Sequence, residues 1–219
     1  MIDIARIGRT RYAAACAAGL VFAAGVVTGA VVHRSGAFKA PRVSSYQAER
    51  TAQLRRFPVL GRIAMAGDSL IEQGEWRGIL GRSDVVNVGV SSDQTGHVLQ
   101  RIDTIRSTQA EMVVLLVGIN DLYNGRSPEQ VASGIAAILS ALSDKRVLLV
   151  PILNGSQRLE SSVARTNALL QGVCTNHCGL VAPAGLSGLL QPSIAYDGVH
   201  LTASGYAELG KALAPLLQR

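Results

Sequence analysis

Five short apolar runs, Ile63 to Ala66, Asp84 to Val88, Met112 to Val117, Arg146 to Ile152 and Gly179 to Ala182, are rich in β-branched residues and bounded by turn signals. Segments of helical period lie between and after them, near 70–80, 94–107, 128–142, 157–173 and 203–217. Apolar strands spaced by helices argue for a parallel sheet covered on both faces. The expectation is a three-layer α/β/α domain over 62–219. A chain of 219 residues, 48% hydrophobic and 16% charged, suffices for one such core plus an appendage.

The appendage is at the front. Residues 12–32, YAAACAAGLVFAAGVVTGAVV, carry no charge, and at 1.5 Å per residue a helix of that length crosses a hydrocarbon core about 30 Å thick. Arg6, Arg9 and Arg11 precede it within a basic tail, 1–11, so the segment reads as either a transmembrane anchor or a signal peptide. A short N-terminal tail staying inside would put the main domain outside the cytoplasm, periplasmic or extracellular. Gly25 and Gly29 have the small-xxx-small spacing that can pair helices into a homodimer, although an Ala/Gly-rich span contains such spacings by chance. Residues 33–61 read as a linker with one polar helical stretch, Tyr46 to Arg56, closed by Pro58.

Charge separates the two parts. Residues 1–62 hold ten Lys/Arg against Asp3 and Glu49, +8, whereas 63–219 hold eleven against thirteen, −2, which together return the net +6. The basic balance belongs to the leader and linker, so no nucleic-acid partner is expected. The membrane, through the N-terminal helix, is.

In an open parallel sheet functional groups gather at the carboxyl ends of the strands. Gly67-Asp68-Ser69-Leu70 follows the first run, Asn87-Val-Gly-Val-Ser-Ser-Asp93 the second, Gly118-Ile119-Asn120-Asp121 the third, and Asp197-Gly198-Val199-His200 precedes the last helix. A Ser, an Asn, an Asp and a His at one sheet edge are the parts for acyl transfer through a serine nucleophile. On position alone, Ser69 could equally be a helix N-cap.

These four blocks, in this order, resemble the signatures of the SGNH (GDSL-type) hydrolase superfamily. The likeness spans about 62–217, and the second block with His97-Val98-Leu99 is most similar to the branch of the platelet-activating-factor acetylhydrolase catalytic subunits. The resemblance implies a flavodoxin-like sheet of five strands in the order 2-1-3-4-5.

Within it, His200 is the candidate base for Ser69, because a hydroxyl is a poor nucleophile without one. Asp197 can accept from the other imidazole nitrogen and fix the tautomer. Candidate oxyanion donors are the Ser69 N–H, the Asn120 side-chain amide and the Ser92 N–H. Ser92 departs from the glycine usual in the family before the second-block aspartate, so it either holds an ordinary conformation or accepts strain. Gly89 reads as a close-packing glycine, and Asp68 and Asp121 as braces of neighbouring loops.

Other clusters point elsewhere. Cys174-Thr-Asn-His177-Cys178 lacks the second half of a closed zinc site, so no metal is expected, and a local disulfide competes with free thiols. Cys16 reads as packing within the apolar span. His97 reads as structural, Glu72 and Glu75 as a solvated helix face, and Thr202 as the N-cap of the last helix. The absence of phosphate-binding glycine motifs implies no nucleotide, and no cofactor of any kind is expected. With 4% aromatic residues and short connections, the expected activity is a serine esterase on small acyl, for example acetyl, esters of a small molecule or glycan. An O-acyltransferase acting on an envelope glycan and a non-catalytic glycan- or partner-binding protein are the alternatives.

Overall fold

The structure is a computed structural model that describes residues 41–153, 157–182, 186 and 196–218. The chain divides into two units, Met1–Ala37 and Phe38–Arg219, and the described residues all belong to the second. The expected tail, anchor or signal segment, helix pairing and Cys16 packing lie outside the described residues. Among the described residues no helix is long and apolar enough to cross a membrane.

Strands β1 (Ile63–Gly67), β2 (Val85–Asn87), β3 (Met112–Leu116), β4 (Arg146–Leu149) and β5 (Cys178–Leu180) form one sheet in the order β2-β1-β3-β4-β5, every pair parallel. Helices lie on both sides, and this is the α/β order of the SGNH fold. All five residues of β1 and all five of β3 are buried, as expected for strands covered on two faces.

The helices are α1 (Ser45–Arg56), α2 (Ser69–Glu72), α3 (Trp76–Leu80), α4 (Thr95–Gln100), α5 (Ile102–Arg106), α6 (Ile119–Tyr123), α7 (Pro128–Ala141), α8 (Glu160–Val173) and α9 (Ala203–Leu213). Their starts follow capping chemistry. Ser127, with Pro128 at the first helical position and Gln130 reaching back, forms a capping box on α7. Thr202 accepts from the Gly205 N–H at 3.2 Å to start α9, the expected N-cap.

Three elements differ from the sequence reading. The expected helix over 70–80 is two helices, α2 and α3, with Trp76 buried and donating its indole N–H to the Ile71 carbonyl at 2.7 Å. The helix over 94–107 breaks at Arg101 (φ −112°, ψ 26°). The polar helix lies within the compact unit and not in a free linker ending at 61: Gln47 of α1 is buried, and α1 packs on α5. A polar, weakly amphipathic segment docks here through hydrogen bonds more than through an apolar stripe, which is why periodicity did not assign it to the domain.

Candidate active site

β1 ends on Gly67 for a steric reason. Its φ is +153°, and a Cβ there would sit 1.9 Å from the Leu116 carbonyl oxygen, so only glycine lets β1 turn against β3. Asp68 then caps α2 by accepting from the Leu70 N–H at 3.0 Å. Ser69 becomes the first residue of α2 at the sheet edge, 7% exposed, where its N–H has no intrahelical acceptor. The cap is thus Asp68, which frees the Ser69 hydroxyl.

That hydroxyl meets a histidine from the other end of the domain. The His200 Nε2 lies 2.8 Å from Ser69 Oγ, and its Nδ1 lies 2.7 Å from Asp197 Oδ2. The neutral imidazole that fits both partners donates from Nδ1 to the carboxylate and accepts the serine proton at Nε2. Asp197 Oδ1 also accepts from the N–H groups of Val199 (3.0 Å) and His200 (2.7 Å). Burial opposes the charge of Asp197, but these hydrogen bonds from His200 and Val199 outweigh it and bring the carboxyl down to about 2. Asp197 is therefore ionised at neutral pH. Tyr196 stacks on the imidazole, ring centroids 5.9 Å apart, and its N–H donates to the His200 carbonyl at 3.1 Å.

The loop after β2 brings the remaining expected residues. Gly89 packs where a Cβ would lie 2.4 Å from the Glu72 backbone nitrogen, so it is a close-packing glycine. Ser92 has φ +65°, which decides the alternative left open above: a non-glycine residue occupies the left-handed region. Asn120, at the start of α6, donates from Nδ2 to the Asp93 carbonyl at 3.0 Å, leaving its second N–H for another acceptor. Asp121 braces the same loop, accepting from the Thr95 N–H and hydroxyl at 2.8 Å each. Burial pushes both Asp93 and Asp121 up from the ordinary carboxylate range, against the pull of Arg101 on the first and of Thr95 on the second.

Three residues escaped the sequence reading. Arg101, 3% exposed, donates to Asp93 Oδ2 (2.6 Å) and to the carbonyls of Val88 (2.8 Å) and Gly67 (3.0 Å), tying the ends of β1 and β2 together. An arginine in register with the buried His97 and Ile105, four residues either way, was the available signal. Glu72 is not part of a solvated face: its Oε2 accepts from the Ser91 N–H at 2.7 Å and from the Ser91 hydroxyl, and its side chain is 14% exposed. Gln47 is the third, donating to Asp93 Oδ1 at 2.9 Å. His97 is structural as expected: Nδ1 accepts from the Gln94 N–H (3.0 Å) and Nε2 donates to the Arg42 carbonyl (3.2 Å). Cys174 and Cys178 form a disulfide. Among the described residues no cluster of three or more His, Cys, Asp or Glu is arranged to hold a metal.

A serine, a histidine and an ionised aspartate in hydrogen-bonded series on the edge of a five-stranded parallel sheet define an α/β/α hydrolase of the serine type. Sequence comparison agrees: residues 65–208 match the GDSL-like lipase/acylhydrolase family, and the chain belongs to it. It is a serine ester hydrolase of the SGNH superfamily, near the platelet-activating-factor acetylhydrolase-like branch. Platelet-activating factor acetylhydrolase IB subunit alpha1 of Pongo abelii is 31% identical over 176 residues, 72% of this chain and 75% of that one. Among solved structures, a protein provisionally described as a platelet activating factor from Streptococcus pneumonia superposes with a TM-score of 0.68 at 22% identity, covering 78% of this chain and 91% of the other. A carbohydrate esterase family 3 protein from Talaromyces cellulolyticus superposes with a TM-score of 0.57 at 15% identity, covering 72% and 96%. At these identities both structures speak to the fold.

Proposed function

We propose that the protein is an esterase of small acyl groups, acetyl foremost, on a carbohydrate or other small ester, held at or exported across a membrane by its N-terminal segment. Ser69 is the nucleophile, His200 the base and then the acid, and Asp197 the group that holds the imidazole. The observation that carries the reading is the continuous series Ser69 Oγ, His200 Nε2, His200 Nδ1, Asp197 Oδ2 at 2.8 and 2.7 Å. The acetylhydrolase relatives and the carbohydrate esterase fold neighbour support the choice of acyl group and alcohol. The uncharged run over 12–32 supports the export or tether.

In the first half-reaction Ser69 Oγ bonds to the ester carbonyl carbon as its proton passes to His200 Nε2. The carbonyl oxygen takes the negative charge, and the Ser69 N–H, Ser92 N–H and Asn120 amide are the donors for it, each such donor being worth about 10²–10³ in rate. His200 returns the proton to the leaving alcohol as the ester bond breaks, which leaves an acyl-serine. Water then attacks that acyl group, gives its proton to His200 Nε2 and releases the acid, and the proton goes back to Ser69. Asp197, ionised throughout, stabilises the imidazolium in both halves.

The test is turnover of p-nitrophenyl acetate, butyrate and octanoate by the wild type and by Ser69→Ala. The expected result is preference for acetate and a loss of at least about 10³ in kcat for the variant. Equal rates in the two proteins would overturn the assignment of Ser69, and a preference for octanoate would overturn the small acyl group.

A further inference from the structure

Three non-glycine residues of the described chain have positive φ, Ser92, Gln109 and Asn176, and of these Ser92 lies in the loop after β2, next to the Asp93 whose carbonyl accepts from Asn120. For an L-residue other than glycine that conformation is disfavoured by roughly five- to thirtyfold, and it persists where neighbours over-determine it. On one side, the Ser91 N–H and hydroxyl are held by Glu72 Oε2. The other oxygen of Glu72 accepts from Tyr46 Oη at 2.5 Å and lies 3.2 Å from Arg50 Nε. On the other side, the Asp93 carboxylate is held by Gln47 Nε2 at 2.9 Å and Arg101 Nε at 2.6 Å.

Tyr46, Gln47 and Arg50 are all on α1, the helix before the first strand. Tyr46 and Arg50 are one turn apart and reach one side of Ser92 through Glu72, while Gln47 reaches the other through Asp93. The anchorage of α1 is itself built: Gln47 Oε1 accepts from the Ser44 N–H at 2.9 Å, and His97 Nε2 donates to the Arg42 carbonyl. The consequence extends past Ser92, because the Asp93 carbonyl takes one N–H of Asn120. Whatever fixes residues 91–93 also fixes the direction of the remaining Asn120 N–H.

We propose that α1 is a clamp on the oxyanion loop, in which Tyr46, Gln47 and Arg50 are positioning residues that hold Ser92 in the left-handed conformation and thereby orient its N–H and the Asn120 amide. The clamp rests on the oxyanion role given to these donors above. It makes the segment that follows the N-terminal apolar run part of the catalytic unit. Glycine at 92 would take the same conformation without penalty, so the clamp matters because residue 92 is a serine.

The test is a pair of substitutions, each made with and without Ser92→Gly in the full chain in detergent, with kcat and KM measured on p-nitrophenyl acetate. Gln47→Leu is expected to lower kcat about tenfold with KM within about twofold, and to lower it less than about twofold when Ser92→Gly is present. Tyr46→Phe removes one hydroxyl from a half-exposed side chain and keeps the fold; the expected drop is about threefold, again removed by Ser92→Gly. A loss of packing alone would not be rescued by Ser92→Gly, and if Gln47→Leu melts below the assay temperature, Tyr46→Phe decides. Unchanged kcat in both single variants, a change confined to KM, or the same proportional loss with and without Ser92→Gly would overturn the clamp. Failure of the wild type to show Ser69-dependent turnover would remove the catalytic reading and the clamp with it; an active, Ser69-dependent wild type with an indifferent Gln47→Leu and Tyr46→Phe would remove the clamp alone.

Discussion

The Asp68 carboxyl beside Ser69 is fully buried, and only one of its oxygens has a partner: Oδ1 accepts from the Leu70 N–H, while Oδ2 has none among the described residues. Burial, helped by the charges of Asp93 and Asp121 and opposed by the Leu70 N–H, pushes its pKa from 3.8 up to about 7. The folded protein therefore binds a proton at Asp68 that the unfolded chain has already released between pH 3.8 and 7. Stability contributed by this site is present at the acid end of that window and is lost as pH rises through it. A gap of about three pKa units at about 1.4 kcal/mol each amounts to about 4 kcal/mol well above pH 7, of which roughly 2–3 kcal/mol accrues between pH 5 and pH 8. Asp68→Asn removes the titration and keeps the Oδ1 acceptor. Its amide N–H₂ takes the place of the unpartnered oxygen, and that penalty is the same at both pH values. Urea unfolding of the chain beginning at residue 41, measured at pH 5 and pH 8, should show the variant gaining on the parent by about 2–3 kcal/mol more at pH 8 than at pH 5. The same difference between variant and parent at both pH values would refute the reasoning, because it would mean that Asp68 ionises in the folded protein as it does in the unfolded chain.

Arg101→Met, which removes the guanidinium shared by Asp93, Val88 and Gly67, should cost about 3–5 kcal/mol in the same unfolding assay, since it leaves a buried carboxylate without its charged partner. Mass spectrometry of protein alkylated before reduction should find Cys174 and Cys178 joined; two alkylated thiols would contradict the bridge. Deletion of residues 1–40 should leave p-nitrophenyl acetate turnover within about twofold, because the described unit begins with α1 and carries its own core. Aggregation of the shortened chain, or a larger loss of turnover, would contradict that independence.

What could be read from the sequence was the chemistry at strand ends. Apolar β-branched runs mark strands by a local rule, so β1 and β3 fall within a residue of expectation, and the four polar blocks land at the sheet edge that such strands must share. Where a run overshot, a local cause also explains it: β4 ends at Leu149 because Pro151 cannot donate to a ladder, although Val150 and Ile152 remain buried. The polar interior was not legible, since its partners are distant in the chain. Arg101 breaks a helix that periodicity would continue, turning inward to the Gly67 carbonyl 34 residues away. Glu72 looks like a surface acid until Ser91 and Tyr46, 19 residues later and 26 earlier, are folded against it. Ser92 joins the two kinds of information. Its position before Asp93 marked it as a candidate backbone donor and raised the choice between ordinary and strained conformation, but nothing local favours strain in a serine. The φ of +65° is tenable because Glu72, Gln47 and Arg101 grip the residues on either side, so the conformation of this donor is a property of the assembled domain and of the helix that precedes it.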